Sequence, residues 1–155
     1  MASSSIPTPA ATAATATAGP VPARWTDLVL FVLRLVAGLM FACHGAQKLL
    51  GWFGGMPGPG GGGGTVPLFS MPGIAGALEL VGGVLIVLGL FTRPVAFVLA
   101  GEMAVAYFMA HAPQGLLPIA NHGEPAVLYC FIFLALWAIG PGAYSIDARR
   151  GVARV

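Results

Sequence analysis

Four long apolar stretches, separated by short polar or glycine-rich breaks, organise most of the chain. The first runs from Leu28 through Val36, Leu39 and Phe41 to about Leu50. The second begins near Gly73 and passes Leu80, Val84 and Val87 to about Phe91. The third starts at Pro94, a favourable first-turn residue, and continues through Val98 and Met103 to about Ala110. The fourth follows Glu124, opens with Pro125 and reaches Ile139, where Gly140-Pro141-Gly142 stops it. About 20 mainly apolar residues cross roughly 30 Å of hydrocarbon, so each stretch predicts a membrane-spanning helix. The joint at Thr92-Arg93 is tight enough to hold its two helices as antiparallel neighbours. The pattern therefore predicts an all-α membrane protein, an antiparallel four-transmembrane-helix bundle over residues 24–148.

Composition agrees with the pattern. Of 155 residues, 57% are hydrophobic and only 8% charged, against about a quarter charged in a soluble domain. As a buried soluble core, the four stretches would leave too little polar surface to cover them. Residues 1–23 are Ala, Thr, Ser and Pro with little bulky apolar material, which predicts a disordered tail. They lack the basic start and continuous apolar run of a secretory signal. Residues 149–155 form a short basic tail.

The basic residues also predict orientation. Arg24, Arg93, Arg149, Arg150 and Arg154 fall on one side of a four-span arrangement, and Lys48 on the other. The positive-inside rule then places both termini and the tight turn in the cytoplasm, with the glycine-rich loop and the His122 loop facing outward. With a net charge of +2 and no basic stripe, nucleic acid is excluded as an expected partner. Cys43 and Cys130 belong to no metal, haem or dithiol motif and read as packing residues. The run Gly60 to Gly64 lacks the Lys-Ser/Thr ending of a phosphate loop and reads as a flexible connection. Trp25, Trp52, Phe53 and Tyr144 read as interfacial anchors.

The candidate chemistry lies in five charged residues within or at the edges of the spans: Arg34, Lys48, Glu79, Glu102 and Glu124. Such groups cost roughly 2.5–3.5 kcal/mol each in hydrocarbon, so they should face the bundle and find partners. Measured from the predicted span ends, Arg34 and Glu102 lie about 9 and 12 Å from the same face, which predicts an Arg34–Glu102 ion pair. Glu79 lies about 9 Å from the opposite face, where His44 and Lys48 approach it from the first span. Ala75, Gly82 and Gly83 share the face of Glu79, which admits a close helix or leaves room for a ligand. His111 and Glu124 sit at the outer ends of the third and fourth spans. Glu102 and His111 fall on opposite helix faces and need a helix distortion to meet in one site.

The expected site is thus His44 and Glu79 as proton-exchanging groups, with Arg34, Lys48, Glu102, Glu124 and His111 as ligand-binding groups around a polar headgroup such as a quinone ring. Two blander readings stand beside it. The charges can be interhelical clamps that bind nothing, and Glu124 can be a helix-start acid at the positive dipole end.

The order of these residues resembles the DoxX family of bacterial membrane proteins. The resemblance rests on Arg34-Leu35, the run His44 to Gly55, Glu79-Leu80-Val81-Gly82-Gly83, Gly89-Leu90-Phe91-Thr92-Arg93 and the run Gly140 to Asp147. It departs from the family pattern at Gly60 to Gly64 and at Pro125, where an aromatic commonly follows the acid. The resemblance implies a four-helix fold in a bacterial inner (cytoplasmic) membrane. It also implies Arg34, His44, Lys48, Glu79 and Arg93 as motif positions, and a link to thiosulfate:quinone oxidoreduction or to thiol and oxidative-stress defence. Three functions fit: a quinone-docking subunit of an oxidoreductase system, a membrane scaffold for a soluble redox enzyme, and a small-solute or proton carrier that oligomerises.

Overall fold

A computed structural model describes residues 22–57 and 63–151. The predicted tail, apart from Pro22 and Ala23, lies outside them, as do Gly60 to Gly62 and Arg154.

Helix α1 spans Ala23–Leu50, 28 residues, or about 42 Å at the helical rise. It starts a turn earlier than the apolar pattern alone suggests. Gly51 ends it in the left-handed conformation, φ 70°. Beyond this end β1 (Met56–Pro57) pairs antiparallel with β2 (Gly63–Gly64). Helix α2, Met71–Leu88, is capped by the Ser70 hydroxyl, which accepts the Gly73 amide at 3.2 Å. Helix α3, Thr92–Ala106, follows after a turn through Gly89 to Phe91. It continues into a π-turn at Tyr107–His111, so the distortion that would turn His111 relative to Glu102 is present. Helix α4, Glu124–Ile139, has 16 residues. A one-turn helix α5, Ile146–Arg149, closes the described chain.

Three helical stretches, Ala23–Leu50, Met71–Leu88 and Thr92–Gln114, are long and apolar enough to cross a membrane, and α4 is a shorter apolar helix beside them. Helix α1 packs chiefly on α2, and α3 on α4, while the α2–α3 seam is looser. The α1–α2 contact is a backbone approach through small residues. A Cβ on Gly45 would lie 2.3 Å from the Leu80 nitrogen, and one on Gly83 would lie 2.6 Å from the Gly38 oxygen. Glycines two turns apart on each helix make this possible, the usual solution where lipid removes any hydrophobic drive between helices.

Phe41, Ile86, Leu99, Phe133 and Leu136 fill the centre, with the Phe41 and Phe133 rings edge-to-face at 4.9 Å. The large exposed side chains are apolar on every span, including Val36, Leu39, Val81, Phe97, Val98, Leu128 and Phe131. That distribution suits a hydrocarbon solvent and no other.

Candidate functional site

Polar chemistry is divided between the two ends of the bundle. At one end lie the start of α1, the α2–α3 turn and α5; Arg24, Arg93, Arg149 and Arg150 gather there in the chain order the sequence predicts. Arg34 is fully buried at this end. Its guanidinium donates to the carbonyls of Ile86 and Val87, each at 3.2 Å, and to that of Tyr144. Asp147 is its acidic neighbour in electrostatic range.

The expected Arg34–Glu102 pair is therefore not formed. Depth explains the difference. Arg34 is level with the last turn of α2, whereas Glu102 stands ten residues into α3, about 15 Å from that helix's start.

Asp147 does further work at this end. Helix α3 has no side-chain cap of its own. Asp147 supplies one from α5: its two carboxylate oxygens accept the Phe91 amide at 2.9 Å and the Thr92 amide at 2.8 Å. Its own amide donates to the Gly89 carbonyl at 2.9 Å. A side chain at Gly89, φ 64°, would strike the Arg34 guanidinium. Asp27 accepts the Ala143 amide at 2.9 Å, tying α1 to the same returning segment. Asp27, Asp147 and the Tyr144 carbonyl had no assigned role in the sequence reading. The signal for Asp147 was available: it is an acid inside the Gly140–Asp147 motif.

The other cluster lies in the half of the bundle nearer the long loops. Lys48 of α1 donates to Glu79 Oε1 of α2 at 2.5 Å, so the sequence grouping of these two residues is met by direct contact. Glu79 is only 3% exposed. Glu102 of α3 lies within electrostatic range of both Glu79 and Lys48. Three buried carboxylate oxygens have no partner among the described residues: Glu79 Oε2 and both oxygens of Glu102.

His44, on the exposed side of α1, is in electrostatic range of Glu79, and its ring meets Tyr129 of α4 edge-to-face at 6.4 Å. Tyr129 also lies within range of Glu79. All four helices thus contribute a polar group. Tyr129 was missed in the sequence, where it reads as one more aromatic of an apolar span.

His111 and Glu124 stand apart from this cluster. His111 Nδ1 bonds the Asn121 carbonyl oxygen at 3.0 Å, and its ring stacks on Tyr107. Buried Asn121 donates to the Gly115 carbonyl at 2.5 Å and accepts the Gly123 amide at 2.8 Å. Together they hold the α3–α4 loop shut. Glu124 is exposed at the first turn of α4. The small residues expected near Glu79 are divided in use: Gly83 meets α1 and Gly82 meets Leu99. Ala75 instead lines a groove of about 440 Å³ between α2 and α3, with Glu102 in its wall.

The DoxX family model matches residues 29–112, which include Arg34, His44, Lys48, Glu79, Arg93 and Glu102. The chain belongs to the DoxX family. An uncharacterised protein of Haemophilus influenzae is 46% identical over 129 residues, covering 81% of this chain and 93% of that protein. An uncharacterised membrane protein of Mycobacterium tuberculosis is 32% identical over 135 residues, 76% of this chain and 78% of that one. The Escherichia coli inner membrane protein YqjF is 31% identical over 126 residues, 78% of this chain and 91% of its own length. No solved structure matches the chain. Two of these three relatives carry a membrane location in their names, and none carries a reaction.

Proposed function

We propose that this DoxX protein docks the ring of a quinone or quinol at Lys48, Glu79 and Glu102, as the membrane subunit of an oxidoreductase system. One observation carries the reading: three buried carboxylate oxygens have no partner among the described residues, two of them on Glu102 in the wall of the α2–α3 groove and the third on Glu79 beside the Lys48 ammonium. Leaving such oxygens unsatisfied in a low-dielectric interior is costly. A ligand that brings hydrogen-bond donors removes that cost. The two hydroxyls of a quinol are such donors, and the remaining Lys48 N–H groups suit the carbonyl oxygens of the oxidised ring.

In this reading Glu79 exchanges the protons of the ring, with His44 as its relay towards the surface, and Lys48 steadies negative charge developing on a ring oxygen. Reduction of a quinone consumes two electrons and two protons. A soluble partner oxidising two thiols to a disulfide releases two electrons and two protons, which closes the balance. The basic end of the bundle faces the cytoplasm under the positive-inside rule. A membrane-impermeant thiol reagent applied to intact cells then labels a cysteine placed at Thr65 and spares one placed at Arg149.

The deciding measurement is the quinone content of protein purified in mild detergent, read by mass spectrometry of an organic extract. The wild type should hold nearly one quinone per chain, and Glu79→Gln and Glu102→Gln should lose most of it. Bulk lipid alone in all three preparations removes the quinone reading and leaves the scaffold, for which crosslinking to a soluble partner is the next step.

A further inference from the structure

The groove at Glu102 does not end there. A second apolar groove of about 690 Å³ runs along the same α2–α3 seam towards the turn, past Leu85, Pro94 and Val95. Ile74, Leu78 and Val98 line both, so the two are one continuous furrow. Its shape follows from the sequence. Helices α2 and α3 are joined by a tight turn, yet each makes its main contact elsewhere, α2 with α1 and α3 with α4. The seam stays open, and Ala75, Ala77 and Gly82 keep its floor low.

Among the described residues Glu102 is the one ionisable residue in its wall, and it stands about midway: along α3 and its π-turn the furrow runs about 12 Å from it to Pro94 and about 12 Å the other way to Ala110. The arrangement is that of an amphiphile's seat, with buried acceptors part-way along an apolar trough. A water-soluble ligand has no use for the trough. A phospholipid acyl chain would fill it, but its phosphate would bring a negative charge towards two carboxyls and only one ammonium.

Resting on the headgroup reading above, we infer that the α2–α3 furrow seats the isoprenoid tail of a prenylated quinol, which enters sideways from the bilayer with its hydroxyls leading to Glu102 and Glu79. Entry from the aqueous loops is not required. The α3–α4 loop can stay closed by His111 and Asn121 throughout. The seat also gives a reason for the looseness of the seam, which interhelical clamping alone does not.

The test uses the full chain in phospholipid nanodiscs with a prenylquinol carrying a photoreactive diazirine on its tail. Irradiation should place adducts on Leu78, Leu85 or Val98. Val98→Trp, which fills the furrow, should weaken the prenylated ligand about tenfold and leave a tailless hydroquinone unchanged, with a wild-type melting temperature as the folding control. Adducts on α1 or α4 while the ring still binds overturn the tail seat and leave the headgroup site standing. So does a diazirine phospholipid that labels the same residues and is not displaced by the quinol. Failure of both the prenylated and the tailless ligand to bind removes the headgroup site, and the tail seat with it.

Discussion

The two polar ends of this bundle spend their charges in opposite ways. At the basic end, Arg34 and Asp147 act on main-chain groups. One satisfies carbonyls at the last turn of α2 and before α5; the other satisfies amides at the start of α3. A cation at a helix C-terminus and an anion at a helix N-terminus each complement the local dipole. Among the described residues, only Arg34 Nε and the Thr92 hydroxyl are left without a partner there, and every carboxylate oxygen of Asp147 is used. At the other end, Lys48 and Glu79 satisfy each other in part, and Glu102 satisfies nothing. Buried charge at the first end acts on the main chain, whereas at the second Lys48 and Glu79 act on each other and Glu102 has no partner among the described residues. On the reading proposed above, one small bundle then keeps the charges that hold it together apart from those that meet a ligand.

The comparison breaks most easily at Arg34. Arg34→Met should cost about 3–5 kcal/mol, the range for removing one member of a buried charged network, read as a large fall in the melting temperature in detergent. Asp147→Asn keeps the shape of the cap and loses its charge, so a smaller cost of about 1–2 kcal/mol is expected in the same measurement. Glu102→Gln should cost least, within about 0.5 kcal/mol of the wild type or more stable, because no partner is lost and a buried acid is replaced by a neutral amide. A fall for Glu102→Gln as deep as that for Arg34→Met would erase the distinction and make the Glu102 cluster a clamp like the other end. A double-mutant cycle sharpens the same point: Lys48 and Glu79 should couple, and Arg34 and Glu102 should not.

The spans were legible because hydropathy and glycine or proline stops report the solvent directly. Lys48 with Glu79 was legible because the two carry opposite charge and approach each other from the same face, one from the end of α1 and the other from the start of α2. Arg34 was misplaced for two physical reasons. Depth was counted from each helix's own start as though the starts were level, whereas Arg34, eleven residues into α1, is level with the end of α2 and so with the beginning of α3. Its acceptors are also main-chain carbonyls, which every residue owns and no sequence pattern marks. Asp147 was hidden by distance, since the amides it caps are 55 and 56 positions away. Tyr129 was hidden by company, one polar atom in an apolar helix.

The Asp147 cap sets an order for the making of the molecule. Thr92 leaves the ribosome 55 residues before the carboxylate that receives its amide. During synthesis, the first turn of α3 must therefore wait for its cap, and Arg34, with the Ile86 and Val87 carbonyls already in reach, for its third acceptor at Tyr144. All four earlier helices are made before the returning segment arrives to fasten the first three. A chain interrupted between Ile139 and Asp147 has all its spans and none of its fastening, so a quality-control protease finds in it an unlatched joint that the finished molecule hides.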